Sequence, residues 1–582
     1  MPSLTSNCSS LPASQLSRLT AFSPLGFFNP KRIVGLVSLS LLTAVSTLPA
    51  KAQDSTNPVL KVGVVQRFGE TPSDTLTLEP LPGDNLVLQF TTEGKPQSVQ
   101  TTQAKLTVAP QALANPTLKE RVVLSNHRSF ESAEDSAKQW QARGIETEIA
   151  QPRSWEVWAK RDIYNTPLLR RLLLKNLQAQ GLTEPYLDSQ VVAEIPKAAF
   201  VANGFRYSRD QVSISSANQR IRVTSGENVQ EAKVYGGTLQ LQPNTYGTYT
   251  LVNNVPTETY LRGVVPHEIG LGAPQAAIEA QAVLARTYAL RNLRRFAVDD
   301  YQLCADTQCQ VYWGLGGAAE ASDRAIAATR SQVLTYQNEL IDALYSSTTG
   351  GVTAPFSNVW NGPDRPYLKS VVDSVQGTWD LALRPLDNEQ NLRAFIAIKQ
   401  GFNEEEWDTF RWQFDSPLPE ITQDVRTYLQ RRKSPLANFT QVVGMRITER
   451  ASSGRVQALE VQTDLGPVTL VKDEIVRVLS APRSLLFYID PVYQVPQVPP
   501  ASAANPAGVA SVPTTTPAVP QLTGYRFVGG GRGHGVGMSQ TGAYHLGDLG
   551  WSSAQILQFY YPGTTLRPMG ADLVLWRDPA TP

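Results

Sequence analysis

The chain is poor in the residues that build metal centres and disulfide frameworks. Its 582 residues include only 3 cysteines and 4 histidines. Cys8 lies in an N-terminal segment that we expect to be removed, which leaves Cys304 and Cys309, and no histidine lies between His267 and His534. Because four-coordinate zinc needs about four ligands, neither a metal nor an organic cofactor is expected. A local disulfide between the two cysteines is favoured, with a metal-binding pair as the alternative.

Strongly charged stretches are also missing. The net charge is +1, with 18% charged residues, and no long basic run is present. Binding of nucleic acid would need lysine and arginine clustered on one face, so no nucleic-acid partner is expected. With 41% hydrophobic residues, the composition is that of a soluble globular protein. The length suggests about three or four domains.

An apolar run long enough to suggest a membrane segment occurs only near the N-terminus. Basic residues at 31–32 precede an apolar segment at 33–48, which is shorter than the ~20 residues of a membrane-spanning helix. Small residues then occupy the cleavage-determining positions within 50–52. Residues 1–52 are therefore predicted to be a signal peptide cut before Gln53, with an uncleaved anchor as the alternative. The mature protein is expected in the periplasm or cell envelope, without a stable membrane span.

The next two regions differ in the spacing of their apolar residues. Residues 57–114 show the alternation and turn signals of a β-rich N-terminal part. Residues 115–186 follow a strand–helix–strand–strand–helix pattern. This pattern resembles a SPOR domain, a small module that binds bacterial cell-wall glycan. A small α/β insertion without a ligand is the alternative.

The rest of the chain predicts one large mixed domain. Residues 187–490 begin with strands and include an alanine-rich helix at 274–292. A Pro- and Ala-rich stretch at 491–520 predicts a linker. Residues 521–582 supply a glycine-rich loop and helices that complete the large domain. The predicted fold class is therefore α+β, a large mixed domain with an inserted small α/β module.

Glu268 is the most informative residue, because it stands in an apolar run. A carboxyl group among apolar neighbours is expected to have a raised pKa, so it can hold a proton near neutral pH and deliver it. Cleavage of a glycosidic bond requires such a proton donor. The alternative is a buried structural carboxylate paired with Arg262 or Arg286.

A series of ordered sequence blocks surrounds this residue. They cover residues 234–241, 246–249, 260–268, 279–290, 304–312, 346–351, 367–371, 483–487, 533–543 and 560–564. Together they resemble the SpoIID/LytB family of bacterial cell-wall proteins. The chain departs from the family pattern at 269–274 and at Arg532, which stands where a Gly-Trp pair is usual.

The resemblance implies a lytic transglycosylase that cuts the bond between N-acetylmuramic acid and N-acetylglucosamine in peptidoglycan. Glu268 matches the family's catalytic glutamate. The sugar's own 6-hydroxyl would be the nucleophile, so a single carboxyl suffices where ordinary glycosidases use two. Some relatives are amidase enhancers, which implies glycan binding and stimulation of a cell-wall amidase without chemistry. A structural wall tether, with the SPOR-like module as its one ligand site, is a third hypothesis.

Further glycan contacts are predicted on the helix after Glu268 and in two loops rich in hydroxyls or glycine. Glycines around position 534 allow positive φ and close backbone approach to a ligand. Packing residues and tight turns are the alternatives, and Glu404 is interpreted as the solvated start of a helix. The predicted glycan contacts are Gln281, Arg286, Tyr288, Ser347, Thr348, His534, Ser539 and Gln540.

Overall fold

The computed structural model describes residues 56–226, 229–432, 434–495 and 519–577. The signal peptide predicted at 1–52 lies outside these residues, as does most of the linker predicted at 491–520. Within the described ranges, none of the helices has the length and apolarity that crossing a bilayer requires.

The strands predicted near the N-terminus are present. Alternating burial along the third of them, with Leu86 and Leu88 fully buried, shows one face turned to the core. The turn before it places Gly83 at φ +86°, which a residue without a side chain adopts most easily. The strands are β1 (Val59–Phe68), β2 (Thr75–Pro80), β3 (Leu86–Thr92) and β4 (Lys95–Thr101).

The predicted module has the expected order of elements. Ser129 and Thr166 cap its two helices, since each side chain accepts a hydrogen bond from the first turn. Glycines with positive φ, Gly144 and Gly181, follow the two helix ends. The elements are β5 (Ala104–His127), α1 (Phe130–Ala142), β6 (Thr147–Ala150), β7 (Trp155–Ala159), α2 (Pro167–Ala179) and β8 (Tyr186–Ala202).

The module is continuous with the sheet that carries it. Its strands pair antiparallel in the order β8-β5-β7-β6, a βαββαβ arrangement. The predicted boundaries at 114/115 and 186/187 fall inside β5 and β8, which pair with each other along most of their length. The specific likeness to a SPOR domain stays a prediction from the sequence pattern.

The large domain begins with six more strands: β9 (Phe205–Ser208), β10 (Val212–Ser216), β11 (Arg220–Ser225), β12 (Lys233–Gly236), β13 (Thr238–Pro243) and β14 (Tyr249–Pro256). Helices and short strands follow: α3 (Thr257–Glu268), α4 (Gln275–Arg291), β15 (Leu303–Cys304), α5 (Glu320–Ala328), β16 (Gln332–Tyr336), β17 (Glu339–Leu340) and β18 (Tyr345–Ser346).

Two sheets organise this half of the molecule. One has the order β15-β1-β14-β13-β10-β3-β4. The other runs β12-β11-β2-β5-β7-β6, with β8 on β5 and β9 on β8. The alanine stripe predicted on α4 is buried, which allows this helix to pack closely against its neighbours. Helices and largely antiparallel sheets together give the mixed class expected from the sequence.

The remaining elements complete the large domain: α6 (Glu389–Ala397), β19 (Trp412–Pro417), α7 (Leu418–Arg431), β20 (Val442–Arg450), β21 (Val456–Thr463), β22 (Gly466–Val471), α8 (Asp473–Val478), β23 (Phe487–Gln494), β24 (Gln521–Gly529), β25 (Met538–Ser539), α9 (Gln540–Asp548), α10 (Ser553–Tyr560) and β26 (Thr565–Pro568). Strand β23 extends into the predicted linker. Ser552 and Gln555 form a capping box at the start of α10.

Pairing between distant segments builds the site. Strand β18 pairs with β25 in parallel, so that Tyr345 lies opposite Met538 and Ser346 opposite Ser539. Strand β16 likewise pairs with β26 near the C-terminus. These contacts bring the hydroxyl-rich loop at 346–351 beside the glycine-rich loop at 533–537. The C-terminal segment therefore closes onto the part of the domain that carries Glu268.

Candidate active site

Glu268 is the last residue of α3, which carries it to the edge of a cleft. Leu261, Val264 and Val265 bury the apolar face of this helix in the core. The helix also packs closely on the following loop, because a Cβ at Gly263 would lie 2.4 Å from the Gly314 carbonyl oxygen. The C-terminal end of α3 is thus fixed against the loop around Gly314. The same loop also lines the other side of the Glu268 carboxyl group.

A cleft of about 340 Å³ opens beside the Glu268 side chain. Four parts of the chain line it: the βαββαβ module, the loop that contains Cys309, the two loops that β18 and β25 bring together, and the segment around Trp360. The residues from these parts that the argument uses are Phe130, Glu131, Trp155, Gln308, Val311, Tyr345, Ser347, Trp360, Arg532, His534 and Gln540.

The environment of Glu268 raises the pKa of its carboxyl group. Burial is the largest cause, because a low-dielectric surrounding penalises the charged form. Hydrogen bonds from the Val311 N–H, at 2.7 Å, and from the Gln540 and Tyr345 side chains oppose the shift without cancelling it. Its location at a helix C-terminus also disfavours negative charge. The carboxyl group is therefore suited to hold a proton while it faces a solvent-accessible cleft.

Neither arginine of the alternative interpretation pairs with Glu268. Arg262 forms a bidentate ion pair with Asp323, at 2.7 and 2.8 Å. Arg286 forms one with Glu258, with both distances 2.8 Å. The structure therefore contradicts the hypothesis of a structural ion pair at Glu268.

A chain of buried hydrogen bonds reaches the carboxyl group from behind. The Tyr260 hydroxyl donates to Gln310 Oε1 at 3.2 Å, and Gln310 Nε2 donates to the Tyr345 hydroxyl oxygen at 3.0 Å. Tyr345 in turn hydrogen-bonds the Glu268 side chain. Because the Tyr345 oxygen already accepts from Gln310, its single proton points toward Glu268. The chain orients the carboxyl group and favours its charged form.

Gln540 and Gln281 lie on the other side of Glu268. Gln540 lines the cleft, and its Nε2 donates to the Glu268 backbone carbonyl at 2.9 Å and to Gln281 Oε1 at 3.3 Å. Gln281 is fully buried behind it and does not line the cleft. The predicted glycan contact at Gln281 is therefore wrong, because this side chain supports Gln540 instead.

Three other predicted contacts are also wrong. Arg286 is fully buried in its pair with Glu258, away from the cleft. Thr348 is fully buried, with its hydroxyl 2.7 Å from that of Thr409. Ser539 caps α9 by accepting from the Gly542 N–H at 3.1 Å. Each of these polar side chains satisfies an internal partner and has no access to a glycan.

The other predicted residues do line the cleft. Tyr288, Ser347 and His534 all contribute to its surface. Burial lowers the pKa of His534 to about 4, so its ring is neutral at physiological pH. Its Nδ1 accepts from the Val536 N–H at 3.0 Å, and its ring lies 5.0 Å from that of Trp360. A neutral, fixed imidazole contributes shape and a hydrogen-bonding edge rather than charge.

The interpretation of Glu404 as a solvated helix start is wrong. Glu404 is fully buried, and its carboxylate accepts hydrogen bonds from the Thr349 N–H and hydroxyl, the Gly351 N–H and the Ser539 hydroxyl. It therefore holds the loop at 346–351 against the start of α9. The acidic run at 404–406 concealed this role, because consecutive charges usually indicate a solvated surface.

Cys304 and Cys309 form a disulfide, with their Cα atoms 5.6 Å apart. The next two residues in the chain support Glu268: Gln310 hydrogen-bonds Tyr345, and the Val311 N–H donates to the Glu268 carboxyl group. Within the described ranges, no cluster of three or more His, Cys, Asp and Glu side chains suits a metal ion. The disulfide therefore braces the loop that supports the carboxyl group.

Sequence reasoning missed several cleft residues. Phe130, Glu131 and Trp155 come from the module, and no local pattern linked them to Glu268. Gln310 stands inside the block at 304–312 and Tyr345 directly precedes the block at 346–351, so the sequence had drawn attention to both segments. Their roles depend on pairing between segments distant in the chain.

Comparison with protein families identifies two regions. Residues 245–336 match the family described as Stage II sporulation protein (SpoIID), and they contain Glu268. Residues 354–537 match a domain of unknown function (DUF8618). The first region supplies Glu268, and the second supplies Trp360, Arg532 and His534.

Curated relatives point the same way. The chain is 28% identical over 375 residues to the amidase enhancer of Bacillus subtilis, across 60% of this chain and 49% of the relative. It is 28% identical over 334 residues to an uncharacterised protein of Brachyspira hyodysenteriae, across 57% of this chain and 72% of the relative. It is 25% identical over 361 residues to Stage II sporulation protein D of Bacillus amyloliquefaciens, across 58% of this chain and 83% of the relative. The match thus spans about half the length of the amidase enhancer.

Proposed function

The chain belongs to the SpoIID/LytB family, and from that membership we propose that it is a peptidoglycan lytic transglycosylase of the cell envelope. In this proposal the enzyme cleaves the bond between N-acetylmuramic acid and N-acetylglucosamine. Glu268 acts alone as general acid and then as general base, without a metal or organic cofactor. The supporting observation is a carboxyl group with a raised pKa that faces a cleft and, among the described residues, pairs with no lysine or arginine.

The proposed reaction needs one proton carrier. Protonated Glu268 donates its proton to the glycosidic oxygen as the bond from that oxygen to the muramic acid C1 breaks. The carboxylate then accepts the proton of the 6-hydroxyl as O6 bonds to C1. The products are a free 4-hydroxyl on N-acetylglucosamine and a 1,6-anhydro end, and no water is consumed. Burial favours the first half of this cycle, and donation by Tyr345 and Val311 favours the second.

Replacement of Glu268 by glutamine tests this assignment. The amide keeps the shape of the side chain but can neither hold nor deliver the proton, so release of anhydro-muropeptides should fall by about 10²- to 10⁴-fold. The measurement is mass spectrometry of products from glycan strands stripped of stem peptides. Undiminished release of anhydro ends by Glu268→Gln would refute the role of this residue.

A matched control is available in Glu279. This residue lies on α4, does not line the cleft, and accepts a hydrogen bond from Ser553 at 3.1 Å. Glu279→Gln should therefore retain the activity of the unaltered protein. An equal loss in both variants would indicate a general effect of removing a carboxylate and would contradict the assignment.

The second candidate function is that of an amidase enhancer, which the similarity to the Bacillus subtilis protein of that name favours. In that case the cleft binds glycan strands and stimulates a separate cell-wall amidase without cleaving the strand. Incubation of the mature protein with stripped glycan separates the two functions. New anhydro ends support the enzyme, whereas binding without new ends, together with stimulation of an added amidase, supports the enhancer.

A further inference from the structure

An aromatic pair, exposed Trp407 and half-buried Tyr544, lies near the cleft. Trp407 is 41% exposed, and its indole meets the ring of Tyr544 at a centroid distance of 5.3 Å and an interplanar angle of 76°. A perpendicular contact of this kind occupies at most one face of the indole. Trp407 makes no other aromatic contact in the described part of the chain. Part of a large aromatic ring is thus accessible to a ligand.

This pair is continuous with the cleft wall. Tyr544 lies one turn of α9 after Gln540, which is a distance of ~6 Å along the helix axis. Its hydroxyl donates to the carbonyl of Ile269, the residue after Glu268, at 2.5 Å. The Gln540 and Tyr544 side chains thus contact consecutive backbone carbonyls, those of Glu268 and Ile269, which places the aromatic pair next to the cleft.

The turn that carries Trp407 is fixed rather than loosely attached. Glu404 anchors its beginning through the hydrogen bonds to Thr349, Gly351 and Ser539 described above. Thr409 anchors its end through the contact of its hydroxyl with that of Thr348. The buried residues once predicted to contact glycan thus hold the indole in place. Such preorganisation lowers the entropic cost of binding.

We propose that Trp407 and Tyr544 form a subsite for an additional pyranose ring of the glycan strand, beyond the two sugars joined by the scissile bond. The apolar C–H face of a pyranose packs against an aromatic ring, and aromatic side chains commonly line ligand sites with polar groups at their edges. This subsite rests on the proposed function, since its ligand is a strand already seated at Glu268. It also gives the segment at 354–537 a role in binding.

Another exposed tryptophan provides a matched control. Trp313 is 51% exposed, yet the ring of His267 stacks on it at 5.4 Å and the Lys233 ammonium lies 4.6 Å from its centroid. The ring of Trp313 is therefore already engaged, and this residue does not line the cleft. Loss of its indole removes as much exposed aromatic surface without affecting the proposed subsite.

Binding measured in the Glu268→Gln protein separates this proposal from catalysis. Isothermal titration calorimetry is performed with N-acetylglucosamine oligomers of increasing length and with stripped glycan strands. We expect affinity to rise with length in the Glu268→Gln protein. Adding Trp407→Ala should weaken binding of long oligomers roughly tenfold and leave the shortest unchanged. Trp407→Phe should retain most of the affinity, and Trp313→Ala should bind as the parent does.

Equal affinity of the Trp407→Ala and parent proteins for long strands would overturn the subsite and leave the proposed reaction intact. A comparable loss in Trp407→Phe would also overturn it, because that variant keeps an aromatic ring. Failure of every variant to bind any oligomer or strand would contradict both proposals. The proposed function is tested separately by the loss of anhydro products in Glu268→Gln.

Discussion

Two carboxylates in this molecule, half-buried Glu268 and fully buried Glu404, have different surroundings. Glu404 is enclosed by protein and is surrounded by donors from the loop at 346–351 and from Ser539. Glu268 accepts from one backbone N–H and from the Tyr345 and Gln540 side chains, and it faces an open cleft. Both carboxylates accept several hydrogen bonds. Access to a ligand distinguishes the residue suited to chemistry from the one suited to structure.

The comparison predicts that Glu404 is needed for folding, whereas Glu268 is not. Glu404→Ala leaves several buried donors without an acceptor, so the free energy of unfolding should fall by about 3 to 5 kcal/mol. Urea denaturation followed by circular dichroism measures this change. Glu268→Gln should unfold close to the parent, and the exposed neighbour Glu406 provides a control as Glu406→Ala. Equal destabilisation by Glu268→Gln and Glu404→Ala would invalidate the distinction.

Removing the disulfide should weaken the loop that supports Glu268 without changing the Glu268 side chain. Cys304→Ser combined with Cys309→Ser should lower the free energy of unfolding by about 2 kcal/mol, because the short loop gains freedom in the unfolded state. Activity should fall as well, since Gln310 and Val311 follow Cys309. Thermal unfolding and product release are measured with and without reductant. Reductant should reproduce the effect in the parent and change nothing in the double variant; full activity of the reduced parent would contradict this role.

A smaller effect concerns the pH profile. Activity requires protonated Glu268, so it should decline as pH rises through the raised pKa of this group. Tyr345→Phe removes a donor that favours the carboxylate and raises that pKa further. The alkaline limb of kcat/KM should therefore move up by roughly one pH unit. Tyr336→Phe is a control away from the cleft, and an unmoved or lowered limb in Tyr345→Phe would contradict the proposed hydrogen bond.

The same pKa fixes the sign of a stability effect. Because the folded-state pKa of Glu268 lies above its unfolded value, its stabilising contribution is fully present below the unfolded pKa. This contribution is lost as pH rises through the folded-state pKa. Glu268→Gln should remove that part of the pH dependence. Denaturation curves across this pH range compare the two proteins.

Local signals in the sequence predicted much of the fold. The strand–helix–strand–strand–helix pattern predicted over 115–186 matches the order of β5, α1, β6, β7 and α2. Exposure was harder to predict: Leu169 and Leu172 lie on α2, yet they are 42% and 54% exposed. Periodicity identifies a helix, whereas burial depends on what packs against it.

The site was predictable only where its chemistry was local. The apolar run around Glu268 indicated a raised pKa without reference to any partner. Thr348 and Ser539 looked like ligand-binding hydroxyls, but Thr409 and Glu404, distant in sequence, engage them. Hydrogen-bond partners supplied by tertiary contacts are not encoded in a short window, so internal and ligand-facing polar residues look alike in sequence.

The βαββαβ module shares its interior with the rest of the protein. Phe130 packs on Trp155, Trp155 on Phe296, and Phe296 on Tyr301, so that one row of rings crosses from the module into the large domain. The chain also enters and leaves the module through the paired strands β5 and β8. The module is therefore not an independently folding domain. Deleting the module, or moving it to another protein, would expose the aromatic residues that it shares with the large domain. Its contribution is therefore best measured with single substitutions in the intact protein.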